Sequence, residues 1–180
     1  VNKETPWLRL VYDSRDVPEF GRKVEADPAQ LSFPFPEPDI VVVLDVAHFH
    51  YVTFKRALDK IKPRWIFDIR AAPRLDRLAG TRSHAFRYFD HLGIRYIDVF
   101  GLVGISNYKK AIYNPNFWTP VIEDFLSDAG GQGGPYCALL DDDSMINSVS
   151  KHLASSVSHA TGKSVSLSKL TSDNDFHFYV

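Results

Sequence analysis

IVVVLDV, residues 40–46, is an apolar run rich in β-branched side chains and interrupted only by Asp45. A run of this kind reads as a strand covered on both faces in a parallel sheet, and it is expected at the centre of that sheet. WIFDIR (65–70), YIDV (96–99) and YCALLD (136–141) repeat the pattern, SVSLSKL supplies a last strand, and LRLVYDS (8–14) a first short one. Between these runs the period changes. In TFKRALDKIK, Phe54, Ala57, Leu58 and Ile61 stand at i, i+3, i+4 and i+7, one face of a helix that Pro63 ends. SHAFRYFDHLG predicts a second helix with Ser83 as N-cap and Gly93 as terminator. NPNFWTPVIEDFLSD starts a third at Asn-Pro, with Pro120 in or near its first turn. DSMINSVSKHLASSVSHATG predicts a fourth, capped by Asp143 or Ser144 and closed by Gly162. Pro34, Pro36 and Pro38 force an extended path into the 40–46 strand.

Strands alternating with helices give an α/β fold, a mostly parallel sheet flanked by helices on both faces, Rossmann-like in architecture. At 180 residues, 44% apolar and 24% charged, residues 1–180 are expected to form a single domain with a true core. Such sheets bind ligands beyond the carboxyl ends of their strands. Attention therefore falls on the residues that end the strands: Asp45 with His48 and His50, Asp68 with Arg70, and Asp141 with Asp142 and Asp143.

Charge sharpens this picture. The net charge is −1, yet residues 51–100 carry eleven Lys or Arg against five Asp. Arg70, Arg74, Arg77, Arg82, Arg87 and Arg95 lie in that stretch, and a guanidinium grips phosphate or carboxylate through a fork of donors. Arg87 and Arg95 read as solvated positions on a helix face and a strand edge. The near-neutral total argues against a broad nucleic-acid-binding surface. Cys137 is the only cysteine, which excludes an internal disulfide and a multi-cysteine zinc site. It is expected to be buried and inert, and it suits a cytoplasmic location. No membrane-spanning run or signal peptide is expected.

Asp68 and Arg70, two apart on a strand, share a face at its carboxyl end. They read either as the grip on a hydroxylated or phosphorylated ligand, with Arg74 and Arg77 adding charge, or as an ion pair pinning the loop. Asp45, His48 and His50 read as ligand-facing or hydrogen-bonded groups; the His-x-His spacing alone falls short of a metal site. The three aspartates at 141–143 leave a strand in succession and so cannot all point one way. Helix capping accounts for at least one of them. DAGGQGGP precedes a strand and lacks the lysine of a nucleoside-triphosphate loop, so it reads as a connector. No metal or cofactor is expected.

WIFDIRAAPR, with Asp68, Ile69, Arg70 and Pro73, then HLGIRYIDVFGLVG, NFWTPVIEDFL and PYCALLD in that order, resemble the bacterial domain-of-unknown-function family 488, typified by YeaO-like proteins. The likeness covers roughly residues 40–170. Where that family typically carries a cysteine, a glutamate and a Cys-His-Arg cluster, this chain has DDDSMINSVSKHLA, and Cys137 falls a few residues too early to take the cysteine's part. The resemblance implies a divergent member that keeps a ligand grip and lacks the reactive cluster. The sequence thus predicts a domain recognising an anionic small molecule, a nucleotide or a nucleic-acid end, through Asp45, His48, His50, Asp68, Arg70, Arg74 and Arg77. The alternatives are a hydrolase or transferase acting on a phosphorylated substrate, with Asp68 or Asp45 as acid or base, and a protein-interaction domain docking through the aromatic tail FHFYV.

Overall fold

Val41, Val42, Val43 and Leu44 are all fully buried, odd positions on one face and even positions on the other, as a strand covered on both sides requires. They form β1 (Asp39–Asp45) of a computed structural model that describes residues 38–103, 108–130 and 133–170. These belong to one compact unit, Pro36–Val180. The 8–14 strand, most of the proline stretch, Gly104 and the FHFYV tail lie outside the described residues.

The elements follow in the expected alternation: α1 (Tyr51–Ile61), β2 (Trp65–Asp68), α2 (Leu75–Ala79), α3 (Arg82–Leu92), β3 (Arg95–Asp98), α4 (Val99–Val103), α5 (Tyr108–Ile112), α6 (Thr119–Asp128), β4 (Tyr136–Leu140), α7 (Ile146–Thr161) and β5 (Val165–Leu170). All pairings are parallel and the order is β3-β2-β4-β1-β5. The centre is therefore β4, with β1 beside it and not in the middle.

One face of the sheet, through Val42, Leu44, Ile66, Cys137 and Leu139, packs on Phe54, Leu58, Leu78 and Phe89 of α1, α2 and α3. The other, through Val43, Phe67, Ala138 and Leu140, packs on Trp118, Ile122, Val149 and Leu153 from α6, α7 and the turn before α6. Chain direction explains this division. The moves from β1 to β2 to β3 run towards one edge and use the first face; those from β3 to β4 to β5 run back and use the second. Crossovers of a single hand require this arrangement. It also means that neighbouring strands send their outgoing loops to opposite faces, which opens a crevice between them at the carboxyl edge. Among the described residues no helix is long and apolar enough to cross a membrane.

Some caps differ from expectation. Thr81, not Ser83, caps α3, its side chain accepting from the His84 N–H at 3.1 Å. Either residue has the required hydroxyl, and the chain is extended at Thr81, where the first turn begins. Neither Asp143 nor Ser144 caps α7: a 3₁₀ turn spans Asp143–Met145, and Asp142 accepts the Ser144 N–H at 3.0 Å ahead of it. Gly93 and Gly162 close α3 and α7 in the left-handed conformation, as expected. α1 begins at Tyr51 and is closed by Lys62, one residue before Pro63.

Candidate functional site

The register places the ends of β1, β4 and β2 side by side: Asp45 lies opposite Leu140, and Asp68 lies opposite Leu139. Two further backbone bonds draw the outgoing chains together, Val46 N–H to the Leu140 carbonyl at 2.8 Å and Ile69 N–H to that of Leu139 at 3.1 Å. Beyond them lies a cleft of about 50 Å³ lined by Val46, Ala47, Arg70, Ala72, Arg74, Arg77, Leu78 and Asp141. Three of the arginines singled out in the sequence line it. A water needs about 10–15 Å³ on the same measure, so the cleft takes a few waters or one tetrahedral oxyanion. A whole drug-sized ligand needs roughly 300 Å³ or more. Only the anionic head of a larger molecule enters.

Arg70 forms the floor. It is buried, and its guanidinium is held by Asp68 in a forked pair, Nε to Oδ1 at 2.8 Å and Nη2 to Oδ2 at 2.5 Å. The Arg70 backbone N–H adds a third bond to Oδ1 at 3.2 Å. Tyr96, from the neighbouring strand β3, donates its hydroxyl to Asp68 Oδ2 at 2.8 Å. Burial works against the Arg70 charge, but the bonds and field of Asp68 overcome it, and the guanidinium is more firmly protonated than in water. The structural reading of the pair is thus present, and it leaves a resource. Nη1 makes no hydrogen bond among the described residues.

Arg74 and Arg77 stand on the outer wall. Arg74 is 68% exposed, and its 3.6 Å contact with the half-exposed Asp76 is of the kind worth little in water. Arg77 reaches back to the Ala47 carbonyl at 3.4 Å, which is a weak bond. Both guanidiniums are therefore available at little cost. Asp141, exposed, is the one carboxylate of the lining, and its field reaches Arg70.

The other predicted residues sit beside the cleft and do not line it. Asp45 is buried and folds the turn by accepting the Ala47 N–H at 3.0 Å. β1 has already ended there, so His48 and His50 do not share a sheet face. Both are exposed on either side of the buried Phe49, and His50 caps α1 through its backbone without a side-chain bond. No group of three or more His, Cys, Asp or Glu suited to a metal occurs among the described residues. Cys137 is completely buried within β4, and burial, together with the field of Asp68, pushes its thiol well above the ordinary range.

Tyr96 went unnoticed in the sequence. Nothing in a single strand marks a tyrosine as partner to an aspartate 28 residues earlier; only the pairing of β2 with β3 does so. The chain matches no protein-family model, no curated protein and no solved structure.

Proposed function

We propose that this domain binds an anionic ligand by seating its oxyanion in the cleft between the carboxyl ends of β1, β4 and β2. The observation that carries the reading is the convergence of Arg70, Arg74 and Arg77 on one enclosure of oxyanion size. Arg70 offers a fixed, prepaired guanidinium, Arg74 and Arg77 close from outside, and Asp141 accepts a hydroxyl or N–H of the same ligand. The resemblance to family 488 supports this reading. The residues it retains, Asp68, Arg70 and Pro73, belong to the floor and loop of the cleft, while the reactive cluster is absent from the chain. A buried lone cysteine suits a reducing cytoplasm.

Hydrolysis or group transfer is the second reading, favoured by one observation: Asp141 is an exposed carboxylate beside three guanidiniums, where a general base would stand. Calorimetry with inorganic phosphate tests the first. Replacing Arg77 by Ala removes a charge-assisted contact worth roughly 1.5–3 kcal/mol and lowers phosphate affinity about ten- to a hundredfold, whereas Arg87→Ala leaves it unchanged. Equal phosphate binding by the parent and an Arg74→Ala, Arg77→Ala double variant rejects the site. Turnover of a phosphomonoester that disappears in Asp141→Asn moves the function to the second reading.

A further inference from the structure

We infer that the oxyanion belongs to a nucleoside phosphate, whose base stacks on the exposed ring pair Tyr51 and His84 at the rim of the cleft. This rests on the oxyanion reading above and names the ligand's other half.

Both α1 and α3 run antiparallel to the sheet, so their N-termini rise at the edge where the cleft opens. Tyr51, the first residue of α1, and His84, in the first turn of α3, meet there with ring centroids 5.8 Å apart and planes inclined at 38°. The contact is the top rung of a ladder between the helices. One turn down, the Lys55 ammonium lies 5.6 Å from the Tyr88 ring centre, and Tyr88 donates its hydroxyl to Asp59 a turn further along α1. The ladder holds the two rings while leaving them open to solvent: Tyr51 is 39% exposed and His84 is exposed. A fixed, wettable aromatic surface is what a nucleobase stacks on.

Position supports the assignment. Ala47 lines the cleft and Tyr51 stands four residues on, so their Cα atoms are at most about 14 Å apart. Arg77 touches Ala47 from α2, which packs against both α1 and α3. Chain connectivity and the packing of α2 on both helices therefore keep the ring pair in the neighbourhood of the phosphate seat. His48 and His50, both exposed, occupy the stretch between, where the sugar hydroxyls pass.

The test is calorimetry on the whole chain with four probes: inorganic phosphate, adenosine, adenosine 5′-monophosphate and a 5′-phosphorylated dinucleotide. The parent binds the monophosphate more tightly than phosphate. Tyr51→Ala, and independently His84→Ala, lowers monophosphate affinity by about five- to a hundredfold, the loss expected of one base–aromatic stack, and leaves phosphate affinity unchanged. Tyr51→Phe retains the parent's preference. An unchanged melting temperature shows that the variants are folded. If the parent binds monophosphate and phosphate equally, or Tyr51→Ala weakens both alike, the base platform is refuted and the oxyanion cleft stands. If neither phosphate nor monophosphate binds, the cleft reading falls and takes this inference with it. Tighter binding of the dinucleotide assigns the ligand to a nucleic-acid end, and tighter binding of the monophosphate to a free nucleotide; either order supports the platform.

Discussion

Asp68 and Arg70 are both nearly inaccessible, with side-chain exposures of 0% and 5%, so each is tolerable only because of the other. Desolvating two charges costs several kcal/mol per ion, and the forked geometry recovers it through bonds that saturate both Asp68 oxygens, with Tyr96 and the Arg70 N–H completing the set. Removing one partner is then far worse than removing both. Arg70→Ala is expected to destabilise the fold by about 3–5 kcal/mol in urea denaturation, because Asp68 is left charged and buried beside too few donors. Replacing both by apolar residues of similar volume should recover most of that loss, yet remove the floor of the cleft. If Arg70→Ala alone costs less than about 1 kcal/mol, the pair is wetter than its burial indicates. Binding at this site is for the same reason better probed at Arg74 and Arg77, whose loss leaves no buried charge.

At the scale of elements, α3 shows what a local pattern can and cannot specify. Its existence and its terminator Gly93 were readable, because helical character and a left-handed glycine are properties of the segment itself. Its start was not, since Thr81 and Ser83 both carry a capping hydroxyl and only the extended backbone at Thr81 decides between them. Thr81→Ala should therefore lower stability by about 0.5–2 kcal/mol and Ser83→Ala by only a few tenths, measured by thermal or urea unfolding. The reverse ranking would place the first turn two residues later. The strands at 40–46, 65–70, 96–99 and 136–141 were legible to within two residues, the three inner ones because burial on both faces leaves a nearly continuous apolar run. That same property hid their order: β1 and β4 are covered alike, and no local feature says which of them is the middle strand.

At the scale of the molecule, strand order creates the site and also places two tyrosines where ionisation is disfavoured. Arg70, Arg74 and Arg77 could be foreseen, because all three fall in the short stretch that follows β2; Ala47 and Asp141, just past the ends of β1 and β4, and Tyr96, within β3, join them only through the order β3-β2-β4-β1-β5. Parallel pairing likewise sets Tyr96 against Asp68, and it sets Tyr136, fully buried on β4, 3.4 Å from Asp39 at the start of β1. Burial first, and then the neighbouring carboxylate, raises both phenols above their usual value of 10.0. A group whose folded pKa is raised contributes stability that is intact below its unfolded pKa and is lost as pH climbs towards the folded value, because the folded state then holds the extra proton. Stability should therefore be unaffected by these two groups below pH about 10. Above it, stability should fall with a slope of up to about 1.4 kcal/mol per pH unit for each tyrosine. Tyr96→Phe separates this from the titration of lysines, since it removes one phenol and no other ionisable group. The variant should start about 1 kcal/mol less stable near neutrality, having lost its bond to Asp68, and the two stabilities should converge as pH rises beyond 10. Urea denaturation of both proteins at stepped alkaline pH measures the convergence, and phenolate absorbance of the native parent should show Tyr96 and Tyr136 missing from the first wave of ionisation. Parallel stability curves, with every phenol titrating together near pH 10, would mean that water reaches Asp68 through the β2–β3 edge and that the floor of the cleft is not sealed.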